Sequence, residues 1–391
     1  MTIDIVDPRA TGLRQRQDDA PGAFALLRRL DWILLGAVAA LVAYGLIAID
    51  AITRHDPGNP AGRQAVYAVL GLVAFAVATV TDPALYRRFS RVIYAGTIAL
   101  LLLVLAAGAA TRGSRRWIDL GIFQFQPSEF AKVLCALVFA AFLADRAKRI
   151  SEPRTPLGAI LLAAGPIALV FVQPDIGTAL VFTALLAGAL FVSGVRWLHL
   201  AVIGTVAVIG ALAVLWWLPA GGINVLKPYQ AARLTGFTHP DSDPRGATYN
   251  INQSITAVGA GGLRGRGVEG ATQTRLDYLP EHATDFAFAS LAEQRGFFGV
   301  AILLLLYLLV VWRGLKIAAN ASDLFGAIVA GGLVFAFLFQ VFVNVGMAIG
   351  VAPITGIPLP FVSIGGSAMI ASMAAMGILQ AIHARGRRRR M

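Results

Sequence analysis

Three ionisable side chains stand just before a long apolar run, in the segment LPEHATDFAF at residues 279–288. A charged side chain at the centre of a bilayer costs about 2.5–3.5 kcal/mol on insertion scales, so such residues usually face a cavity or a substrate path. Asp285 is therefore a candidate functional carboxylate. In the structural alternative, Thr284 caps a helix and Asp285 interacts with the helix dipole in the first turn.

A glutamate and a lysine stand three residues apart in FQPSEFAK, residues 125–132. Pro127 and Ser128 are typical of a helix start, and residues three apart on a helix share one face. Glu129 and Lys132 are thus expected to be neighbours. Two interpretations stay open: an ion pair that neutralises itself at the membrane boundary, or the polar wall of an outward-facing cavity in which Lys132 faces an anion.

Arginines also occur in connections where membrane topology does not require them. The stretch TRGSRRWIDLGIFQFQPSEFAK, residues 111–132, contains Arg116 beside Trp117, an aromatic residue of the type that anchors at membrane interfaces. A longer connection at about 219–284 carries further arginines, among them Arg233. Long loops tolerate such charges, so each of these arginines is weaker evidence for a role other than topology. The shorter connection is therefore the stronger evidence that its arginines have a role other than setting topology.

Two more carboxylates lie at positions with a structural alternative. Asp175 follows Pro174 at a sharp reversal in QPDIG, where a helix cap is the favoured interpretation and a cavity or metal role the other one. Glu293 lies eight residues after Asp285. A continuous helix through both would place the two carboxylates along one side.

Composition indicates a polytopic membrane protein. Of 391 residues, 57% are hydrophobic and 14% are charged, whereas a soluble domain carries about 25% charged residues. A span needs about 20 apolar residues. The sequence predicts an all-α bundle of ten transmembrane helices, at 31–50, 64–81, 91–110, 128–144, 157–173, 176–194, 197–218, 285–312 with a break near Gly296, 324–349 and 363–383.

The distribution of lysine and arginine predicts the orientation. These residues gather on alternate connections, which places both termini in the cytoplasm. The polar tail at 1–30 is expected to be disordered and has no cleavable signal peptide pattern. The basic tail at 385–391 is expected to orient the chain beside anionic membrane lipid, with no role in binding nucleic acid. Cys135 is the single cysteine, which excludes an intrachain disulfide.

A final unusual segment is NVGMAIGVAPITGIPLPFVSIGGSA, residues 344–368. Its prolines and glycines interrupt helical structure within apolar surroundings. Non-helical backbone at membrane depth must be buried in protein or line a water-filled cavity. The segment is therefore either a re-entrant turn between the last two spans or a wall of a polar site, and the two interpretations are compatible.

Five stretches, in this order, resemble the SEDS family (shape, elongation, division and sporulation), the peptidoglycan glycosyltransferases that include RodA and FtsW. They are RWIDLGIFQFQPSEFAK, QPDIGTA, YQAARLTGF, LPEHATDFAFASLAE and GIPLPFVSIGGS. NVGM and GIPLPF are more similar to the RodA branch. The resemblance implies a SEDS transmembrane domain at 31–384 with an extracytoplasmic loop at about 219–284, between helices 7 and 8, in the bacterial cytoplasmic membrane.

The resemblance also implies an activity, the polymerisation of lipid II into glycan strands at the outer face of that membrane for cell elongation and shape. Asp285 matches the essential aspartate of the family's DF motif. Arg116 and Trp117 match the Arg-Trp before the PSE motif, and Glu129 and Lys132 match the acidic and basic residues of that motif.

Four positions depart from the family pattern. Gln124 stands where a basic residue is common, and Ala283 where a histidine is usual. Ile364 and Ala368 replace a tyrosine and a serine in the last motif. None of these changes removes the expected base, but the first weakens the expectation that every cation around the pyrophosphate is present.

Transfer from a pyrophosphate-linked donor needs few protein groups. The pyrophosphate leaves readily once cations hold its charge, whereas the attacking sugar hydroxyl must lose a proton. One carboxylate and a cationic cradle therefore suffice, and direct displacement inverts the anomeric carbon. We expect Asp285 to be the base. The expected pyrophosphate ligands are Arg116, Lys132 and Arg233.

A divalent cation, Mg²⁺ or Mn²⁺, is a candidate cofactor, with Glu129 and Glu293 as the nearest ligands, and no organic cofactor is expected. The resemblance implies a class B penicillin-binding protein as the transpeptidase partner, with lipid II and polyprenyl-pyrophosphate-linked glycan as ligands. Three alternatives stay open: a lipid II flippase, a division-branch polymerase similar to FtsW, and a structural scaffold for a synthase.

Overall fold

Apolar helices make up most of the structure, a computed structural model that describes residues 29–54, 59–111, 114–119, 124–222, 225, 231, 236 and 248–386. The long helices are α1 (Trp32–Ile52), α2 (Pro60–Val80), α4 (Ser90–Ala107), α5 (Pro127–Asp145), α6 (Arg154–Val172), α7 (Ile176–Val192), α8 (Trp197–Ala220), α12 (Ala287–Ala319), α13 (Leu324–Ala348) and α14 (Gly366–Gly386). The shorter ones are α3 (Pro83–Arg88), α9 (Tyr249–Gly261), α10 (Gly267–Gly270) and α11 (Thr272–Arg275).

The all-α membrane class is confirmed. Within the described ranges, eight helices are long and apolar enough to cross a membrane, and α4 and α7 are shorter apolar helices. These ten helices match the ten apolar runs of the sequence, while the count of ten membrane spans stays a prediction. The expected tail at 1–30 lies almost entirely outside the described residues.

The centre of the bundle is formed by α5, α13 and α14, which are the most buried of the long helices. The helix α14 packs along α2, and α13 packs along α7 and α12. Small residues allow these close approaches, since a Cβ on Gly377 would lie only 2.4 Å from the carbonyl oxygen of Phe75. By contrast, no residue of α8 is buried, which is the exposure expected of a helix that faces lipid.

The predicted break near Gly296 is confirmed. Gly296 has φ +64° and ψ −164° inside α12, in a backbone region that is almost restricted to glycine. The loop after α9 fills the break, because the amide of Phe297 donates to the Gly262 carbonyl at 2.9 Å and that of Arg266 donates to the Glu293 carbonyl at 2.9 Å. Backbone groups freed by the kink are thus paired again within the protein.

Three short strands precede α5 and were not expected from the sequence. They are β1 (Ala109–Thr111), β2 (Ser114–Asp119) and β3 (Gln124–Phe125). They form an antiparallel sheet in the order β1-β2-β3, with Trp117 opposite Ala109 and Ile118 opposite Phe125. The sheet fixes the direction in which β2 presents Arg116 and Trp117.

Candidate active site at the Asp285 turn

Asp285 lies in a turn that precedes a helix. The helix α12 begins at Ala287, and its N-cap, Phe286, makes no side-chain cap hydrogen bond. The turn is closed by the Glu281 carbonyl, which accepts hydrogen bonds of 3.1 Å from the amides of Thr284 and Phe286. The Thr284 hydroxyl donates to Glu281 Oε2 at 2.8 Å. The structural alternative, in which Thr284 caps the helix and Asp285 lies in its first turn, is therefore wrong.

The irregular segment after α13 packs directly on this turn. The amide nitrogen of Asn344 donates to the Asp285 carbonyl at 2.9 Å and to the Ile357 carbonyl at 2.8 Å. Gly356 has φ +69°, and a Cβ placed on it would be 3.5 Å from Asp285 Oδ2. The half-buried carboxylate of Asp285 consequently faces the backbone at Gly356.

Side chains from two other helices hold the same segment. The buried Gln64 of α2 donates to the Ser363 carbonyl at 3.3 Å and accepts from the Gly365 amide at 3.1 Å. The hydroxyl of Tyr307 on α12 donates to the Pro360 carbonyl at 2.5 Å. The segment is mostly buried. Of the two environments expected for its non-helical backbone, the structure shows burial within the protein for most of the segment.

The QPDIG turn approaches the other side of the segment. Asp175 is the N-cap of α7 and accepts from the Thr178 amide at 3.1 Å, so the favoured cap interpretation is confirmed. Next to it, a Cβ on Gly177 would lie 2.4 Å from the Thr355 carbonyl oxygen. The QPDIG turn and the Asp285 turn therefore contact adjacent residues of the irregular segment, Thr355 and Gly356.

Arg116 joins the small sheet to the QPDIG turn. Its Nε donates to the Gln173 carbonyl at 3.1 Å, and its Nη2 donates to the Pro174 carbonyl. Its Nη1 lies 3.8 Å from Asp175 Oδ1. Arg116 thus has a structural role in holding this turn, and the half-buried Trp117 follows it on β2. Arg233, the third expected cation, lies outside the described residues.

Gln126 ties the start of α5 into the same cluster. Its backbone amide donates to Ser367 Oγ at 2.8 Å, and its side-chain amide donates to Asp175 Oδ2 at 3.4 Å. Gln126, Ser367 and Asn344 lie within motifs identified in the sequence, but they were not predicted to be site residues. The available signal was their type, since polar amides and hydroxyls within apolar surroundings need hydrogen-bond partners.

The predicted Glu129 and Lys132 contact is present. Lys132 Nζ lies 2.8 Å from Glu129 Oε1 and donates to Gln340 Oε1 at 3.1 Å, and both ion-pair residues are buried. Gln340 and Asn344 are four residues apart on α13, so they lie on one face. Lys132 is accordingly one helical turn of α13 from the residue that contacts Asp285.

Glu293 is separate from this cluster. It is fully buried, and its carboxylate accepts from the Gln273 amide at 2.9 Å, the Thr274 amide at 3.0 Å and the Thr274 hydroxyl at 2.8 Å. It therefore stabilises the start of α11. The expected alignment of Asp285 and Glu293 along one continuous helix is wrong, since Asp285 precedes α12.

These contacts also bear on the expected divalent cation. The carboxylate of Glu129 is paired with Lys132, and that of Glu293 is saturated by amide and hydroxyl donors. Across the described part of the chain, no group of three or more His, Cys, Asp or Glu residues could hold a metal ion. Glu129 and Glu293 do not fit a shared metal site.

Comparison with known proteins places the chain in a family. Residues 25–388 match the model of the FtsW, RodA and SpoVE family, described as "Cell cycle protein". The chain belongs to this family. The peptidoglycan glycosyltransferase MrdB of Escherichia coli K12 is 40% identical over 354 residues, which cover 90% of this chain and 93% of that protein. The SEDS resemblance is thereby confirmed.

Two solved structures share the fold over nearly their whole length. One, from work on polymerization and crosslinking by a peptidoglycan synthase complex, has a TM-score of 0.77 and 32% identity and covers 91% of this chain and 98% of its own. The other is the crystal structure of the rod shape determining protein RodA of Thermus thermophilus, with a TM-score of 0.66 and 30% identity, covering 90% and 96%. Both support a multi-pass membrane protein.

Proposed function

We propose that this chain is a peptidoglycan glycosyltransferase that polymerises lipid II into glycan strands at the outer face of the cytoplasmic membrane, for cell elongation. One observation carries the proposal: three sequence motifs, those of Gln126, Asp175 and Asp285, come together around the irregular segment at 344–368. The family match and the name of the MrdB relative agree with this activity.

Asp285 acts as the general base. Its carboxylate takes the proton from the acceptor sugar 4-hydroxyl while the oxygen attacks the anomeric carbon of the donor. The new carbon–oxygen bond forms as the bond to pyrophosphate breaks, and the electron pair leaves with the polyprenyl pyrophosphate. A positioned base contributes about 10²–10⁴-fold to such a step. Attack opposite the leaving group makes the enzyme inverting.

Arg116 and Lys132 are the proposed cations for the pyrophosphate. Two of the five N–H groups of Arg116 donate to the backbone of the QPDIG turn, and its Nη1 lies 3.8 Å from Asp175 Oδ1. These contacts keep the guanidinium in place, and its remaining donors can meet a phosphate oxygen. Lys132 has three N–H donors, and Glu129 and Gln340 receive two of them. Preorganised cations of this kind stabilise the charge that develops on the leaving group.

The proposed partner is a class B penicillin-binding protein, whose transpeptidase crosslinks the new strand. Support comes from the structural neighbour, which was studied as part of a peptidoglycan synthase complex. The proposed location is the bacterial cytoplasmic membrane with both termini in the cytoplasm, on the basis of the alternating basic connections.

The decisive experiment measures glycan polymerisation by the purified full chain with lipid II, with and without the partner. Asp285→Asn should lower the rate by about 10²–10⁴-fold, because it removes the base and keeps the side-chain size. Asp50→Asn is the control, since it makes the same change at an exposed aspartate near the end of α1, outside the candidate site. A folded Asp285→Asn protein that polymerises at the normal rate would show that the base is wrongly assigned.

Two further readouts test the rest of the proposal. A proteoliposome assay that follows lipid II translocation separately from polymerisation discriminates the flippase alternative, which predicts translocation without glycan. The anomeric configuration of the product, compared with that of the donor by NMR, tests inversion. Retention of the donor configuration would contradict direct displacement.

A further inference from the structure

Asn344 joins the Asp285 turn to the irregular segment through a single amide group. It is fully buried within α13. Its amide nitrogen donates to the Asp285 carbonyl at 2.9 Å and to the Ile357 carbonyl at 2.8 Å. Because a primary amide has only two N–H groups, both are committed to these two carbonyls. The amide therefore restrains the two backbone segments at Asp285 and Ile357, while a separate bond of 3.0 Å from the Ile364 amide to the Ala283 carbonyl joins them further along.

The other end of the same amide has no hydrogen-bond partner. Asn344 Oδ1 is buried and unpaired within the described part of the chain, as is the hydroxyl oxygen of the neighbouring Thr355. A buried polar group left unpaired costs about 1–3 kcal/mol. Such groups are rare in folded proteins and call for an explanation. The asparagine thus makes its two donated hydrogen bonds while its own oxygen is left without a partner in the described part of the chain.

We propose that Asn344 is a positioning residue for glycan transfer, which fixes the Asp285 carboxylate relative to Gly356. This inference rests on the role proposed above for Asp285. A bond to the Asp285 carbonyl restrains the backbone at that residue and therefore the direction of its side chain. The second bond, to Ile357, holds the residue after Gly356, which the carboxylate faces. A reacting group that moves by about 1 Å can lose about 10²-fold in rate.

The inference predicts a specific kinetic signature. Asn344→Ser keeps one hydroxyl donor and serves only one of the two carbonyls, and Asn344→Leu removes both donors at similar side-chain size. Both variants should lower kcat, by about tenfold and about 10²-fold respectively, with KM within about threefold of the wild-type value, because the base is misplaced while the substrate contacts persist.

The matched control is Asn320→Ser. Asn320 lies just after α12 and donates from its side-chain amide to the Lys316 carbonyl at 2.7 Å. It makes the same kind of bond as Asn344, far along α12 from Asp285, and its substitution should leave kcat unchanged. The melting temperature in detergent is recorded for every variant, so that a loss of folded protein is separated from a loss of rate.

A double variant distinguishes positioning from a purely structural role. Asp285→Glu keeps a carboxylate but displaces it by one methylene, so Asn344→Ser should cost little more in that background. Equal fold losses in the wild-type and Asp285→Glu backgrounds would overturn the inference, because independent effects multiply. Where Asp285→Glu polymerises too slowly to measure, a wild-type kcat in folded Asn344→Ser overturns it, and a lowered kcat with unchanged KM supports it.

The two proposals fail in different ways. An active Asp285→Asn protein removes the proposed base, whatever the Asn344 variants do. An inactive Asp285→Asn protein together with wild-type kcat in both Asn344 variants removes only the positioning role.

Discussion

Two buried ion pairs of this chain are built differently. In the first pair, Arg313 Nε donates to the two carboxylate oxygens of Asp31 at 3.1 Å and 2.9 Å, and Arg313 Nη2 donates to Oδ2. Asp31 also caps α1, by accepting from the Leu34 amide at 3.0 Å, and Gln380 brackets its backbone with bonds of 2.8 Å and 2.9 Å. The carboxylate of Asp31 therefore accepts from both an arginine and a backbone amide, and its position is fixed from several directions.

The pair of Glu129 and Lys132 makes one contact of 2.8 Å, and the lysine is shared with Gln340. A lysine ammonium is a point charge that can turn toward a new anion, whereas a forked arginine contact is fixed in one plane. Burial of a charge therefore does not by itself indicate a functional site. The number of partners that fix the charge separates a structural pair from one that can serve a substrate.

Breaking the Asp31 and Arg313 pair should have the largest effect on stability. Arg313→Leu leaves the Asp31 carboxylate buried without its counter-ion, which costs about 3–5 kcal/mol of unfolding free energy. Denaturant unfolding in detergent measures this loss. The double variant Asp31→Asn with Arg313→Leu should recover most of the stability, since no buried charge is left, and the rate per folded molecule should equal wild type. A lowered rate per folded molecule would give this pair a role in the site.

For the second pair, the double variant should recover the stability but not the rate. Lys132→Met alone destabilises the fold, because it leaves Glu129 buried without a counter-ion. The double variant Glu129→Gln with Lys132→Met should recover the fold but still polymerise about 10²-fold more slowly, because the cation for the leaving group is missing. Polymerisation and unfolding are measured on the same preparation. Full recovery of both would make this pair structural, like the first.

Glu293 is a third kind of buried carboxylate, one whose partners are amide and hydroxyl donors rather than a cation. Glu293→Gln should lower the unfolding free energy by about 1.5–3 kcal/mol, because it weakens hydrogen bonds made to a charged group. It should leave the dependence of polymerisation on added Mg²⁺ or Mn²⁺ unchanged. A shift in that metal titration would restore Glu293 as a metal ligand.

Gly356 should give the smallest effect. A residue with a side chain pays about 1–2 kcal/mol in the left-handed region, while a Cβ there meets Asp285 Oδ2 at an ordinary 3.5 Å. Gly356→Ala should therefore lower stability by about 1–2 kcal/mol and shift kcat modestly. Gly365→Ala is the control, because Gly365 lies outside the left-handed region and its nearest contact would be 3.4 Å. Equal melting temperatures for the two variants would contradict the backbone argument.

Much of the fold could be predicted because it depends on local composition. Apolar runs predicted the long helices, Gly296 predicted the kink, and Asp175 after a proline predicted a helix cap. The motif resemblance located the family. Each of these signals is carried by residues that are adjacent in the sequence, and each is read with the same few rules of helix formation.

The start of α12 could not be predicted in the same way. Threonine is a good capping residue, but Thr284 does not cap α12. Glu281 has φ +56°, and its carbonyl accepts the hydrogen bonds of the nearby amides instead. The partner of Glu293 lies about 20 residues earlier in the chain, where α11 follows no apolar pattern. The bridging role of Asn344 depends on two carbonyls brought together only by the folded chain.

The irregular segment between α13 and α14 has a consequence for the order of assembly. Its backbone is paired by Gln64, Tyr307 and Asn344, which belong to three separate helices, and water within a bilayer cannot replace them. The segment therefore has no stable form until those helices have inserted and packed. All three helices precede the segment in the chain, so the partners of its backbone are synthesised before the segment itself.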